Sequence, residues 1–171
     1  MPPKDRSPIR DPHYGIGQAS LLDRLIDRDP KVSSEPPAAQ AQSLRDLKAS
    51  LRRDIEMLLN TRRPPTEMPA GASELPNSVY YYGLPDITGL SVKQQKDQNR
   101  LMQIIEHAII MFEPRLTNVS VTLQPSHTGE RTIRFQIEAM LMIEPAPERI
   151  AFDTRLEVMS GQYQVEGEGR A

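Results

Sequence analysis

The spacing of apolar residues changes at Pro114. Before it they recur every three or four positions; after it they alternate. A chain that passes from a period near 3.6 to a period of 2 makes helices first and strands afterwards. Both must then bury their apolar sides in one core, so the expected class is α+β: two main helices packed on one face of a small antiparallel sheet of three or four strands.

The first helix is predicted from Ser43, with Asp46 three residues on as in an N-terminal cap. Its apolar stripe is Leu44, Leu47, Leu51, Ile55, Leu58 and Leu59. Arg45, Lys48, Arg52 and Arg53 take the opposite side, and Pro64-Pro65 stops it. A Pro-rich connection follows at 61–76. Residues 77–90, NSVYYYGLPDITGL, then carry too much aromatic surface for a solvated loop, and Gly83 and Pro85 mark at least one tight turn. Ser91 with Gln94 predicts a capping box. The helix it opens, Val92 to Phe112, shows Leu101, Ile104, Ile105, Ala108, Ile109 and Phe112 on one face and ends at Pro114.

Three alternating runs follow: Val119–Leu123, Ile133–Ile143 and Ile150–Val158. Ser160-Gly161 predicts a two-residue hairpin turn. It sets Val158 opposite Tyr163 and Leu156 opposite Val165, all on one face. Met140 and Met142 lie on the otherwise polar face of the second run, as at a covered or partner-facing end. The last segment, QYQVEGEGR, has few edge-guarding charges along Tyr163, Gln164 and Val165.

Composition separates this domain from what precedes it. The chain holds 16 prolines in 171 residues, concentrated outside the periodic segments. Residues 1–42 carry too few apolar side chains to offset the entropy of ordering, and read as a flexible N-terminal tail. One short amphipathic helix is expected near 21–28, capped by Ser20 and stopped at Asp29-Pro30. It either docks a partner or covers the domain's own core. The α+β domain is placed at 43–166 and a C-terminal tail at 167–171. Net charge is −2, which gives no broad basic field for nucleic acid or anionic lipid. There is no cysteine, and hence no disulfide or thiolate metal site. No signal peptide or membrane span is read, so a cytoplasmic location is expected.

Catalytic patterns are missing. His13, His107 and His127 have no neighbouring ligand spacing, and no HExxH, GxSxG, Walker loop or GxGxxG is present. No catalytic residue, metal ligand or cofactor site is assigned. Glu106 and Glu113 lie about 10 Å apart along a helix axis, wider than working carboxylate pairs. Glu113 is unusual for another reason: a helix C-terminus disfavours an anion by about 0.3–1 kcal/mol. Pro114 fixes the exit direction and Arg115 offers a bidentate cation. The pair either sets the helix–sheet junction, reaches another chain, or is a mixed-charge turn.

LLNTRR at 58–63, YGLPDITGLS at 82–91, FEPRL at 112–116, FDT at 152–154 and SG at 160–161 resemble the TssE family. That family is the type VI secretion baseplate protein, itself similar to a wedge subunit of contractile-phage tails. The resemblance spans about residues 43–166, and its specific part is Tyr82-Gly83-Leu84-Pro85-Asp86 together with Glu113-Pro114-Arg115. It implies a structural baseplate component, not an enzyme, that joins the wedge to the first sheath ring and templates sheath assembly. The implied partners are the wedge subunits TssF, TssG and TssK and the sheath subunits TssB and TssC, with no nucleic acid and no direct membrane insertion. The implied location is cytoplasmic, at a baseplate docked to the inner membrane through other proteins. Protein-contact residues are expected at Tyr82, Gly83, Leu84, Glu113, Pro114 and Arg115, and at Tyr163, Gln164 and Val165 if the sheath adds a strand there. Two alternatives stand beside this: a small peptidoglycan hydrolase using Glu106 or Glu113, and an adaptor that docks partners through its N-terminal tail.

Overall fold

The computed structural model describes residues 44–65, 71–72, 74–91, 94–125, 132–143 and 146–168. Helix α1 is Leu44–Asn60 and α2 is Gln95–Phe112. The strands are β1 (Leu116–Leu123), β2 (Thr132–Leu141), β3 (Glu148–Glu157) and β4 (Gln162–Glu168). Two 3₁₀ turns, Leu75–Asn77 and Val79–Tyr81, carry the chain between the helices. The expected tail, its short helix near 21–28 and Ser43 lie outside the described residues.

The strands form one antiparallel sheet in the order β1-β2-β3-β4. α1 lies over β4 and α2 over β1, so both helices cover one sheet face, as the change of period requires. Leu47, Leu51, Ile55, Leu58 and Leu59 from α1 and Leu101, Ile105, Ala108 and Ile109 from α2 meet Phe135, Ile137, Leu141, Phe152 and Leu156 in a single core. Leu44, the first residue of the α1 stripe, stays exposed at the helix start.

Three local expectations are corrected. The capping box at Ser91 and Gln94 does not form: α2 starts at Gln95, and Gln94, at the N-cap, makes no side-chain cap bond. Asp97 in the first turn instead accepts the Ser91 N–H at 2.8 Å, so the acceptor comes from inside the helix. The β3–β4 hairpin is closed by four residues, 158–161, rather than two, with the Gly161 N–H donating to the Glu157 carbonyl at 2.8 Å. Leu156 therefore faces Tyr163, and Thr154 faces Val165. The register differs by two from the expected one, and a shift of two keeps every side chain on its face. Val158 leaves the sheet and is exposed.

β1 is kinked by an extra residue between Thr117 and Ser120, where Asn118 takes φ 51°. Asparagine is among the few residues that adopt this left-handed conformation readily, and the bulge increases the local twist of the strand.

Candidate functional site

The segment following α1 is tied to the tyrosine loop by backbone. Leu84 donates its N–H to the Thr61 carbonyl at 2.8 Å and accepts from the Arg63 N–H at 2.9 Å, a short parallel bridge between residues far apart in sequence. Gly83 has φ +106°, a region closed to most side chains. Leu84 is 2% exposed in the core, and Tyr82 meets Phe112 edge-on at 5.3 Å between ring centres. The expected contact residues Tyr82, Gly83 and Leu84 thus hold the end of α1 against the end of α2.

Glu113, Pro114 and Arg115 lie at the adjoining corner, between α2 and β1. Glu113 caps α2 and donates its own N–H to Ile109. Arg115 grips the Glu113 carboxylate with two bonds, Nε to Oε1 at 2.7 Å and Nη2 to Oε2 at 2.6 Å. Nη2 also reaches Oδ2 of Asp54 on α1 at 2.7 Å. Both Glu113 and Arg115 are only 6% exposed. Burial alone would disfavour the guanidinium charge, but the hydrogen bonds and charge of Glu113, then those of Asp54, hold it protonated above its usual value. Tyr82 feels the same cluster: burial, then the charges of Asp54 and Glu113, push its hydroxyl up. One arginine thereby binds α1, the end of α2 and the start of β1. The sequence showed the Glu113–Arg115 pair but not Asp54, and it left open whether the pair reaches outward. In the single chain it points inward.

The sheet edges are also different from the expectation. Tyr163 and Val165 bury their side chains, and their N–H groups turn away from β3. The Tyr163 N–H donates to Oδ1 of Asn60 at 2.9 Å, and Nδ2 of Asn60 donates back to the Tyr163 carbonyl at 2.9 Å. The Asn60 amide thus takes the place of a neighbouring strand's peptide group. Glu56 accepts the Val165 N–H at 3.2 Å. The guards missing from β4 come from α1. On the opposite edge, Glu106 of α2 accepts the Val121 N–H at 2.8 Å. Because N–H direction alternates along a strand, the Gln164 N–H faces β3, opposite Arg155. A proline at Gln164 would therefore break the ladder rather than the free edge.

Asn60→Leu removes both bonds to Tyr163 and bares that stretch of β4. It is expected to cost about 2 kcal/mol and to produce concentration-dependent association, seen by sedimentation. A variant as stable and as monomeric as the parent would show that the Asn60 contact guards nothing.

The Tyr163 hydroxyl is buried without a hydrogen-bond partner among the described residues. Burial pushes it well up, with Arg62 acting weakly the other way. The unfolded chain loses this proton near pH ~10, while the folded chain keeps it to higher pH. Stability is therefore full below that pH and falls above it. Tyr163→Phe is expected to leave neutral-pH stability nearly unchanged and to flatten the decline in melting temperature from about pH 8 to 11. An unchanged alkaline slope would place the titration elsewhere.

Both candidate catalytic glutamates are engaged in structure, Glu106 on a strand edge and Glu113 on Arg115. Among the described residues no group of three or more acidic, histidine or cysteine side chains is placed to hold a metal ion. No helix among them is long and apolar enough to cross a membrane.

No curated protein sequence matches the chain. Among solved structures it is similar to a chain of "The baseplate complex from the type VI secretion system", at 22% identity over 61% of this chain and 89% of that chain, with a TM-score of 0.42. The family model described as "Baseplate wedge protein gp25" matches residues 45–146, from the first turn of α1 to the β2–β3 connection. That span holds both helices, the tyrosine loop and the buried Asp54–Glu113–Arg115 cluster, and the chain belongs to the baseplate wedge protein gp25 family.

Proposed function

We propose that the protein is a non-catalytic structural part of a type VI secretion baseplate, joining the wedge to the first sheath ring and templating sheath assembly. The family match over both helices, β1 and β2 supports the structural baseplate part of this reading. The choice of type VI among contractile machines rests on the resemblance at 82–91 and 112–116. The buried arginine cluster suits such a part, because it fixes the angle between two helices and a sheet without leaving a cleft-bound acid free for chemistry. Wedge subunits TssF, TssG and TssK, and sheath subunits TssB and TssC, are the partners this role requires, at a cytoplasmic baseplate docked to the inner membrane through other proteins. Residues 43–166 act as one unit in this reading, with a separable N-terminal tail.

The test is co-purification of the full chain with TssF, TssG and TssK, and sheath growth in cells with and without it. Association with the wedge and loss of sheath assembly on deletion are expected. Sheath forming at its normal rate without the protein would overturn the templating role. A muralytic assay addresses catalysis: reproducible glycan cleavage by the purified chain, lost in Glu106→Gln or Glu113→Gln, would overturn the non-catalytic reading.

A further inference from the structure

Along α2, the helix, Arg63 and the loop of residues 76–85 line a groove of about 610 Å³. Its floor is apolar, with Ile104, Met111, Phe112 and Pro85. Its cations are Arg63 and Arg100, and no aspartate or glutamate lines it among the described residues. Arg63 stands over the Tyr81 ring at 5.6 Å. Among the described residues neither arginine makes an ion pair with an acid. Other cations of the domain are paired, Lys48 with Glu148, Arg149 with Glu138 and Arg155 with Glu166, while Arg45, Arg52 and Lys96, like the two groove arginines, make no ion pair among the described residues. Among the described residues the charged side chains lining this trough are both cationic.

We infer that this groove is a docking site for an amphipathic helix of another baseplate chain, with apolar anchors on one face and aspartate or glutamate along its flank. The inference rests on the baseplate reading above and names the surface through which it works. An apolar floor takes side chains spaced as i, i+3, i+4 and i+7, the usual fit of a helix to a groove. The arginines set orientation and exclude basic partners. Phosphates of a nucleic acid would leave the floor unfilled, and two arginines are too few to bind them.

The experiment places a photo-cross-linking residue in the groove, Gln103→p-benzoylphenylalanine, in the full chain co-expressed with TssF, TssG and TssK. Mass spectrometry then identifies the joined peptide. A cross-link to a helical, net-acidic segment of a wedge subunit is expected. Arg100→Glu, on the exposed side of α2, is expected to weaken wedge binding about tenfold and to flatten its salt dependence, with melting temperature unchanged. Cross-links confined to residues 1–43 of the same chain, to a second copy, or to a basic or uncharged segment would overturn the inference. So would wedge binding insensitive to Arg100→Glu. If the chain bearing neither change fails to bind the wedge, the baseplate reading fails, and the groove inference falls with it; if it binds with an empty groove, only the groove inference falls.

Discussion

Replacing Arg115 with methionine is expected to lower the unfolding free energy by about 3–5 kcal/mol. The melting temperature should fall by roughly 10–20 °C for a domain of this size. The cause is what remains behind. Glu113 is 6% exposed and loses the cation that satisfies it, while Asp54, close to buried, loses its 2.7 Å partner and keeps only the longer Arg53 contact at 3.4 Å. Arg115→Lys is expected to recover little, because a single ammonium cannot hold the two Glu113 oxygens and Asp54 in the geometry of a planar fork. The double change Glu113→Gln with Arg115→Met should be more stable than Arg115→Met alone, because one of the two stranded charges is gone. Denaturant unfolding of the three variants checks this. Arg115→Met within 1 kcal/mol of the parent would show that the cluster contributes little. Since the pair is internal, any loss of wedge or sheath assembly in these variants should track the loss of stability, unlike the loss expected from a surface contact.

Gly83→Ala is expected to cost about 2–5 kcal/mol. At φ +106° a side chain is strained, and its Cβ would overlap the Thr61 carbonyl oxygen and lie 2.8 Å from the carbonyl carbon. That carbonyl is the acceptor for Leu84, so relief of the clash breaks the bridge that holds the tyrosine loop to α1. Gly71→Ala is the control. Its φ is +89°, but nothing lies within 4 Å of the added atom, so only the conformational cost applies, about 1 kcal/mol. Amide exchange at Arg63 and Leu84 should speed up in Gly83→Ala and not in Gly71→Ala. Equal stability of the two variants would mean that the loop gives way freely at Thr61.

The helices and sheet were legible because burial repeats at fixed intervals. Leu47, Leu51, Ile55 and Leu58 needed only spacing to be placed inside, and so did Phe135, Ile137 and Ala139. The hairpin register was not, because parity survives a shift of two and the pattern around Ser160 cannot count turn residues. The sites depended on contacts without period. Asp54 finds Arg115 across 61 positions and Asn60 finds Tyr163 across 103. Both side chains sit on the polar-looking side of α1, where sequence alone reads solvent. Glu113 could be singled out in advance because a carboxylate at a helix C-terminus is electrostatically misplaced until a cation is supplied.

The Asn60 contact has a consequence for how fast and how tightly anything can pair with β4. A side chain carried on a packed helix is a competitor at fixed effective concentration, set by the fold rather than by the cell. A strand offered from outside meets that competitor at every encounter. Its apparent affinity is its intrinsic affinity scaled by the fraction of time that the end of α1 is lifted away. That fraction is tied to Arg115, since Asp54 anchors the same helix. Docking at this edge would therefore be slow and selective for strands that arrive together with a force on α1. The isolated chain keeps its edge quiet for the same reason, without needing charges on β4 itself.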